Sequence, residues 1–166
     1  MILNTVVVWL HVFGAIGWMG AGMAFAFVIG PSVGLMSPPA RTEFFAKVVP
    51  KYLRFVEVFS ILTIIFGVVS AVVFADGDYS IFSPSTTFGL LISTGAVLGL
   101  ATIGLAMAVI VPTARKISAI SQVLLQNPGP PPAELLVLAK RLRVSSTLAL
   151  FVLIVVTMLM VGAATY

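Results

Sequence analysis

The chain has no cysteine, a single histidine and only five carboxylates among 166 residues. Without cysteine there are no disulfides, thiolate metal sites or iron–sulfur clusters, and no covalent attachment of a c-type haem. Charge of either sign is scarce: 8% of residues are charged, against about 25% in soluble domains. One histidine and one acid within the apolar runs give a proton pump or an ion channel little to work with. No phosphate-binding loop, carboxylate dyad, Ser–His–Asp set or tandem internal repeat is evident.

Apolar side chains fill the space left by these absences. Hydrophobic residues make up 60% of the chain, and mean hydropathy is +1.20. Four runs, residues 2–29, 52–75, 86–111 and 144–165, meet the requirement of about 20 residues for a membrane-crossing helix. Strands of a membrane barrel would be shorter and would alternate apolar with polar residues. The expectation is a single all-α domain over residues 1–166, an integral membrane four-helix bundle. The first run has no Lys or Arg before it and exceeds the apolar core of about 7–15 residues in a cleavable signal peptide, so it reads as a membrane helix.

The net charge of +4 does not read as a nucleic-acid footprint, because of where it falls. Arg41, Lys47, Lys51 and Arg54 lie in or beside the first connection. Arg115, Lys116, Lys140, Arg141 and Arg143 lie in or beside the third. The second connection, "DGDYSIFSPS", carries Asp76 and Asp78 instead. The positive-inside rule then predicts a plasma-membrane protein with connections one and three in the cytoplasm and both termini outside. Its partners are lipid and, through small-residue packing, another helix. "GAVLG" at residues 95–99 is a GxxxG pattern suited to a second copy or a larger membrane complex. Gly14, Gly17, Ala21 and Ala24 mark close packing in span one.

Proline punctuates the connections. Gly30-Pro31 is expected to end or kink the first helix, and Ser37 with Pro38 to start another. Residues 40–75 read as a helix bent at Pro50. The third helix overruns the membrane through "ARKISAISQVLLQ" and stops at "NPGPPP", residues 127–132, before "AELLVLAKRLR" restarts the last helix.

The candidate site centres on His11 in "WLHVFGAIGWMG". The imidazole lies roughly 12–14 Å into a hydrocarbon layer of about 30 Å, where a polar group normally faces the bundle and hydrogen-bonds or binds something. Gly14, Ala15, Trp18 and Gly22 share its helix face. The small residues leave a recess closed by Trp18, suited to the edge of a flat macrocycle or to a packed helix. Met158 and Met160, at a depth of about 8–11 Å from the outer surface, are candidates for a second axial ligand, and only one of them can face the bundle. The alternative is a neutral histidine bonded to a neighbouring helix, with both methionines filling gaps or facing lipid. Copper also suits His and Met. Met19 and Met23, displaced by about 12 and 18 Å along the helix, cannot join His11 on one metal, which leaves His11 with a span-four Met. Glu57 is the one carboxylate inside a span, read as a snorkelling partner of Arg54 or as a proton or propionate contact.

"WLHVFGAIGWMGAGMAFAFVIGP" resembles the first helix of copper-resistance-D-like membrane proteins, with a Leu-His pair followed by an aromatic residue and glycine. "ELLVLAKRLRVSSTLALFVLIVVTMLMVG" is similar to their last hairpin. A related four-helix group, the haem-dependent membrane protoporphyrinogen oxidases, has a presumed haem-ligating His in its first helix, matched here by His11. That group also uses a Lys in its third helix, and "TTFGLLISTGAVLGLATIGLAMAVIV" has none. The resemblance therefore implies a haem or copper site at His11 without implying that enzyme activity. The expectation is haem b, with His11 as metal ligand and Gly14, Trp18, Met158 and Met160 around the cofactor, serving electron transfer or redox sensing. A copper-handling protein and a non-catalytic subunit of a larger membrane complex stand as alternatives. No residue reads as catalytic.

Overall fold

Proline decides where these helices change character. In the computed structural model, which describes residues 2–165, helix α1 (Ile2–Ala24) does not break at Gly30-Pro31. It widens into a π-helical turn over Phe25–Ile29, then continues as α2 (Gly30–Leu35). A proline lacks the N–H for an intrahelical bond and clashes with the carbonyl four residues back, and a wider turn relieves both problems. The Ser32 hydroxyl donates to the Val28 carbonyl at 2.7 Å, satisfying one acceptor in the distorted stretch. Arg41 finishes the corner, with its guanidinium on the carbonyls of Val33, Gly34 and Met36 at 3.0–3.2 Å, where a helix C-terminus favours a cation.

Helix α3 (Pro38–Lys47) starts at Ser37, whose backbone takes the cap position while its side chain makes no capping bond. The helix expected over residues 40–75 is divided at Val48, and α4 (Val49–Ala75) carries Pro50 in its first turn, where a missing N–H costs nothing. Helix α4 ends at Asp76, in the left-handed region at φ 45°, followed by Gly77 at φ 88°. A single 3-10 turn (Tyr79–Phe82) leads to α5 (Thr87–Leu105), capped by the Thr86 hydroxyl on Gly89 N–H at 3.0 Å. A second π turn, Ala106–Ile110, again precedes a proline, Pro112, and passes into α6 (Val111–Gln126). After the proline-rich link, α7 (Glu134–Ala163) returns.

The molecule is all-helical among the described residues, and four continuous helical stretches are long and apolar enough to cross a membrane: Ile2–Leu35, Val49–Ala75, Thr87–Gln126 and Glu134–Ala163. The second half repeats the first in its order of elements. "VIGPS" at 28–32 and "VIVPT" at 109–113 occupy equivalent places across the ends of the π turns, and "KYLR" at 51–54 and "KRLR" at 140–143 lie in the first third of α4 and α7. Helix α3 has no counterpart in the second half. All nine Lys and Arg lie toward the end of the bundle where these proline links fall, and Asp76 and Asp78 lie toward the other.

The two ends are held together by different physics. Helices α1 and α4 pack along their length, as do α5 and α7, and the pairs are joined through α1–α7 and α4–α6 contacts. At the basic end Val49, Leu53, Ala114, Ile117, Leu138 and Leu142 form a buried apolar cluster, flanked by Phe44 and Phe45 of α3. Burying such side chains away from water contributes about 1.5–3 kcal/mol each. Further along, within the apolar spans, the contacts are glycines against backbone. A Cβ on Gly14 would lie 2.9 Å from Thr63 N, and one on Gly17 would enter the Phe59 ring. Gly95 of the GxxxG pattern meets only the mobile end of Met160, and Gly99 meets nothing within 4 Å.

These contacts make the glycines unequal. Gly14→Ala should destabilise the bundle by about 2 kcal/mol or more, because backbone cannot step aside. Gly99→Ala should stay within about 1 kcal/mol of wild type, since only helix propensity changes. Denaturant unfolding in detergent checks the order, and equal losses at the two sites would contradict it. In the acidic turn, the Ser80 hydroxyl and backbone N–H hold the Asp78 carboxyl below its ordinary range. A depressed carboxyl pKa contributes stability that is present above the unfolded value and lost as pH falls through the folded one. Protection of the Ser80 amide, relative to its intrinsic exchange rate, should therefore be lost in wild type as pH falls below the ordinary carboxylate range. It should show no such loss in Asp78→Asn, and a matching loss there would contradict the assignment.

Candidate functional site

In a helix of apolar residues, His11 can satisfy its ring only on another helix. Its Nδ1 lies 2.8 Å from the Thr63 carbonyl of α4. A carbonyl only accepts, so Nδ1 carries the proton and Nε2 is left as a base. Gly67 makes this possible. A Cβ there would lie 2.9 Å from His11 Cε1, so the imidazole rests against the bare backbone of α4. Nε2 has no hydrogen-bond partner among the described residues. One turn further along the same face of α4, the Ser70 hydroxyl is buried and also without a partner. Thr63, Gly67 and Ser70 recur at helical spacing and so share the α4 face toward α1. The sequence reading missed all three, although a Thr, Gly and Ser at positions i, i+4 and i+7 of an apolar span were visible as a small-polar stripe.

The recess expected under His11 is not open. The bare face of Gly14 is occupied by the Thr63 backbone, and Gly17 by Phe59, which stacks on Phe55 and meets Phe13. Of the two readings of those glycines, the structure realises helix packing. Trp18 is buried, yet it does not close a recess beneath the histidine. It lines a mostly apolar cavity of about 100 Å³ further inward, together with Tyr52, Thr102, Ala106, Ser146 and Leu150. Tyr52 crosses this region to donate its hydroxyl proton to the Ala21 carbonyl at 2.6 Å.

The methionines also stand apart from His11. Met158 is 70% exposed on the outer flank of α7. Met160 faces the bundle, and its methyl fills the space over Gly95 of α5. The Thr157 hydroxyl donates to Met19 Sδ at 3.3 Å, which sets α1 and α7 in register. From that level His11 lies about 12 Å outward and Met160 only about 4.5 Å. Among the described residues, neither Met158 nor Met160 is therefore brought opposite His11. Met19 is engaged by α7 rather than by a metal, and no group of three His, Asp or Glu side chains that could hold a metal is present among the described residues.

Glu57 does not pair with Arg54. Its carboxylate accepts from Arg115 of α6 at 2.6 Å, so the ion pair links two helices instead of closing one turn. A second cross-link at the basic end joins Lys116 of α6 to Glu134 of α7. Compared with known proteins, the chain matches no family model, no curated protein and no solved structure.

The helix-to-helix bond at His11 has a measurable worth. His11→Ala should lower unfolding free energy by about 1 kcal/mol, in the range of hydrogen bonds between membrane helices. Gly67→Ala should cost at least as much, because the imidazole must leave its place. Thr63→Val should cost less than either, since the acceptor is the backbone carbonyl. Unfolding in detergent ranks the three variants, and a larger loss in Thr63→Val would identify the hydroxyl as the partner instead.

Proposed function

We propose that the chain is an integral membrane protein, with both termini outside and its basic end in the cytoplasm, that binds haem b through His11 for electron transfer or redox sensing. One observation carries this reading: the Nδ1 bond to the Thr63 carbonyl leaves Nε2 without a partner among the described residues, the nitrogen an imidazole would offer to a metal. Metal-ligating histidines characteristically donate their other N–H to such an acceptor. The buried, unpartnered Ser70 hydroxyl one turn away adds a second group for a polar guest on the same seam. The likeness of the first helix to copper-resistance-D-like proteins points the same way.

The residues fit this cofactor on one side only. His11 would hold the iron, and the described residues supply no opposing ligand, since Met158 faces outward and Met160 is engaged with Gly95. The macrocycle has no place beneath His11, where α4 fills the space at Gly14. Haem would supply one-electron chemistry. The protein would set its ligand, through the carbonyl bond that raises imidazole basicity, and its dielectric, through the surrounding apolar helices.

A second reading, a non-catalytic subunit of a larger membrane complex, is favoured by the closed Gly14–Thr63 contact, where helix packing fills the space a guest would need. Copper fits less well, because no methionine among the described residues stands opposite His11. Absorption spectra of the detergent-purified protein, made with haem supplied, separate the three. Haem ligation predicts a Soret band that sharpens on reduction, is lost or displaced in His11→Ala, and is unchanged in Met158→Leu and Met160→Leu. A colourless protein overturns the haem reading; stoichiometric copper by elemental analysis would then support the copper alternative, and its absence the structural one.

A further inference from the structure

Away from His11, at the basic end, α4 and α6 diverge enough to leave a groove of about 420 Å³. Arg54, Glu57, Arg115, Ser118 and Gln122 line it. Its polar groups are only partly used. Glu57 and Arg115 pair with each other, and Gln122 donates a long bond of 3.4 Å to the Ala46 carbonyl. Arg54 has no ion pair or hydrogen bond among the described residues, and neither does the hydroxyl of Ser118, a buried residue. The groove thus has one uncompensated positive charge and a free hydroxyl donor.

The setting says which anion fits. From Arg54, the exposed face of α4 continues as Val58, Ile61, Ile65, Val68 and Val72, all apolar and at helical spacing along the span. A ligand with a single negative charge at one end and long apolar chains at the other matches both features. Basic pockets between membrane helices on the cytoplasmic side bind such head groups.

We propose that this groove binds the phosphate of an anionic phospholipid, with Arg54 as its main contact, Arg115 held in place by Glu57 as the second cation, and the acyl chains lying along the α4 stripe. One phosphodiester charge neutralises the groove, whereas a zwitterionic head group brings in a further cation. A guanidinium is suited to phosphate by its planar fork of donors. The site is independent of any cofactor at His11.

The test uses the full-length protein in detergent, titrated separately with phosphatidylglycerol, phosphatidylcholine and inorganic phosphate. Bound lipid is counted by native mass spectrometry and unfolding temperature is followed in parallel. Phosphatidylglycerol should be retained and should raise the unfolding temperature, and Arg54→Gln should weaken its binding about fivefold. Because Arg54 has no partner to lose, the variant without lipid should unfold as wild type does, and Arg54→Lys should restore most of the affinity. Lys140→Gln, a charge lost at the same end outside the groove, should leave binding unchanged. Equal retention of phosphatidylcholine would overturn the proposal. So would an equal loss in Lys140→Gln, which means diffuse surface charge. Stabilisation by inorganic phosphate at the same concentration would make this a free-anion site and reject the lipid.

Discussion

The seam between α1 and α4 is the constraint on which the rest depends. In an apolar surrounding, apolar side chains gain nothing by leaving one oily environment for another, so helices associate through close backbone approach and through the few polar groups that must find partners. Gly14 and Gly17 let α1 come against Thr63 and Phe59, and Gly67 lets the imidazole of His11 come against α4. The histidine then reaches the Thr63 carbonyl, and that bond fixes which ring nitrogen carries the proton. Packing at glycine and chemistry at nitrogen are consequences of one close approach.

The basic end uses a different currency of stability. There Val49, Leu53, Ile117, Leu138 and Leu142 pack into a buried apolar cluster among the charged residues. The prolines make this division possible. At Pro31 and Pro112 the chain widens by a π turn and runs on, carrying α2 and α6 toward that end. Ion pairs from α6 to α4 and α7, at Glu57–Arg115 and Lys116–Glu134, tie the extension together. The free cations remain around it, which is why a groove with an unpaired arginine occurs at this end and not near Asp76.

Helix number, approximate spans and the overrun of the third helix were legible because hydropathy and the link "NPGPPP" are local signals. The prolines misled in opposite directions. Pro31 was expected to end or kink the first helix and instead follows a widened turn in a continuous one, whereas the helix expected to bend at Pro50 is divided at Val48. Both outcomes depend on what neighbouring helices pack against, which single-helix patterns do not contain. His11 could be singled out from sequence, but its partner could not, because the acceptor is a backbone carbonyl that any residue at position 63 would offer. The seat of Met160 on Gly95 was not legible, because it depends on how α7 packs against α5, which hydropathy does not report. The repeat of "VIGPS" in "VIVPT" was legible in principle and became visible only once the two π turns marked the equivalent places.

The central claim is that His11 is held as a neutral imidazole protonated at Nδ1, with Nε2 available. Nitrogen NMR of the protein labelled at its one histidine tests this directly, because protonated and bare ring nitrogens resonate far apart. The account predicts a protonated Nδ1 coupled to its hydrogen and a bare Nε2 in the cofactor-free protein, with only Nε2 responding when haem is added. A proton on Nε2, or a rapidly exchanging mixture of the two tautomers, would contradict it.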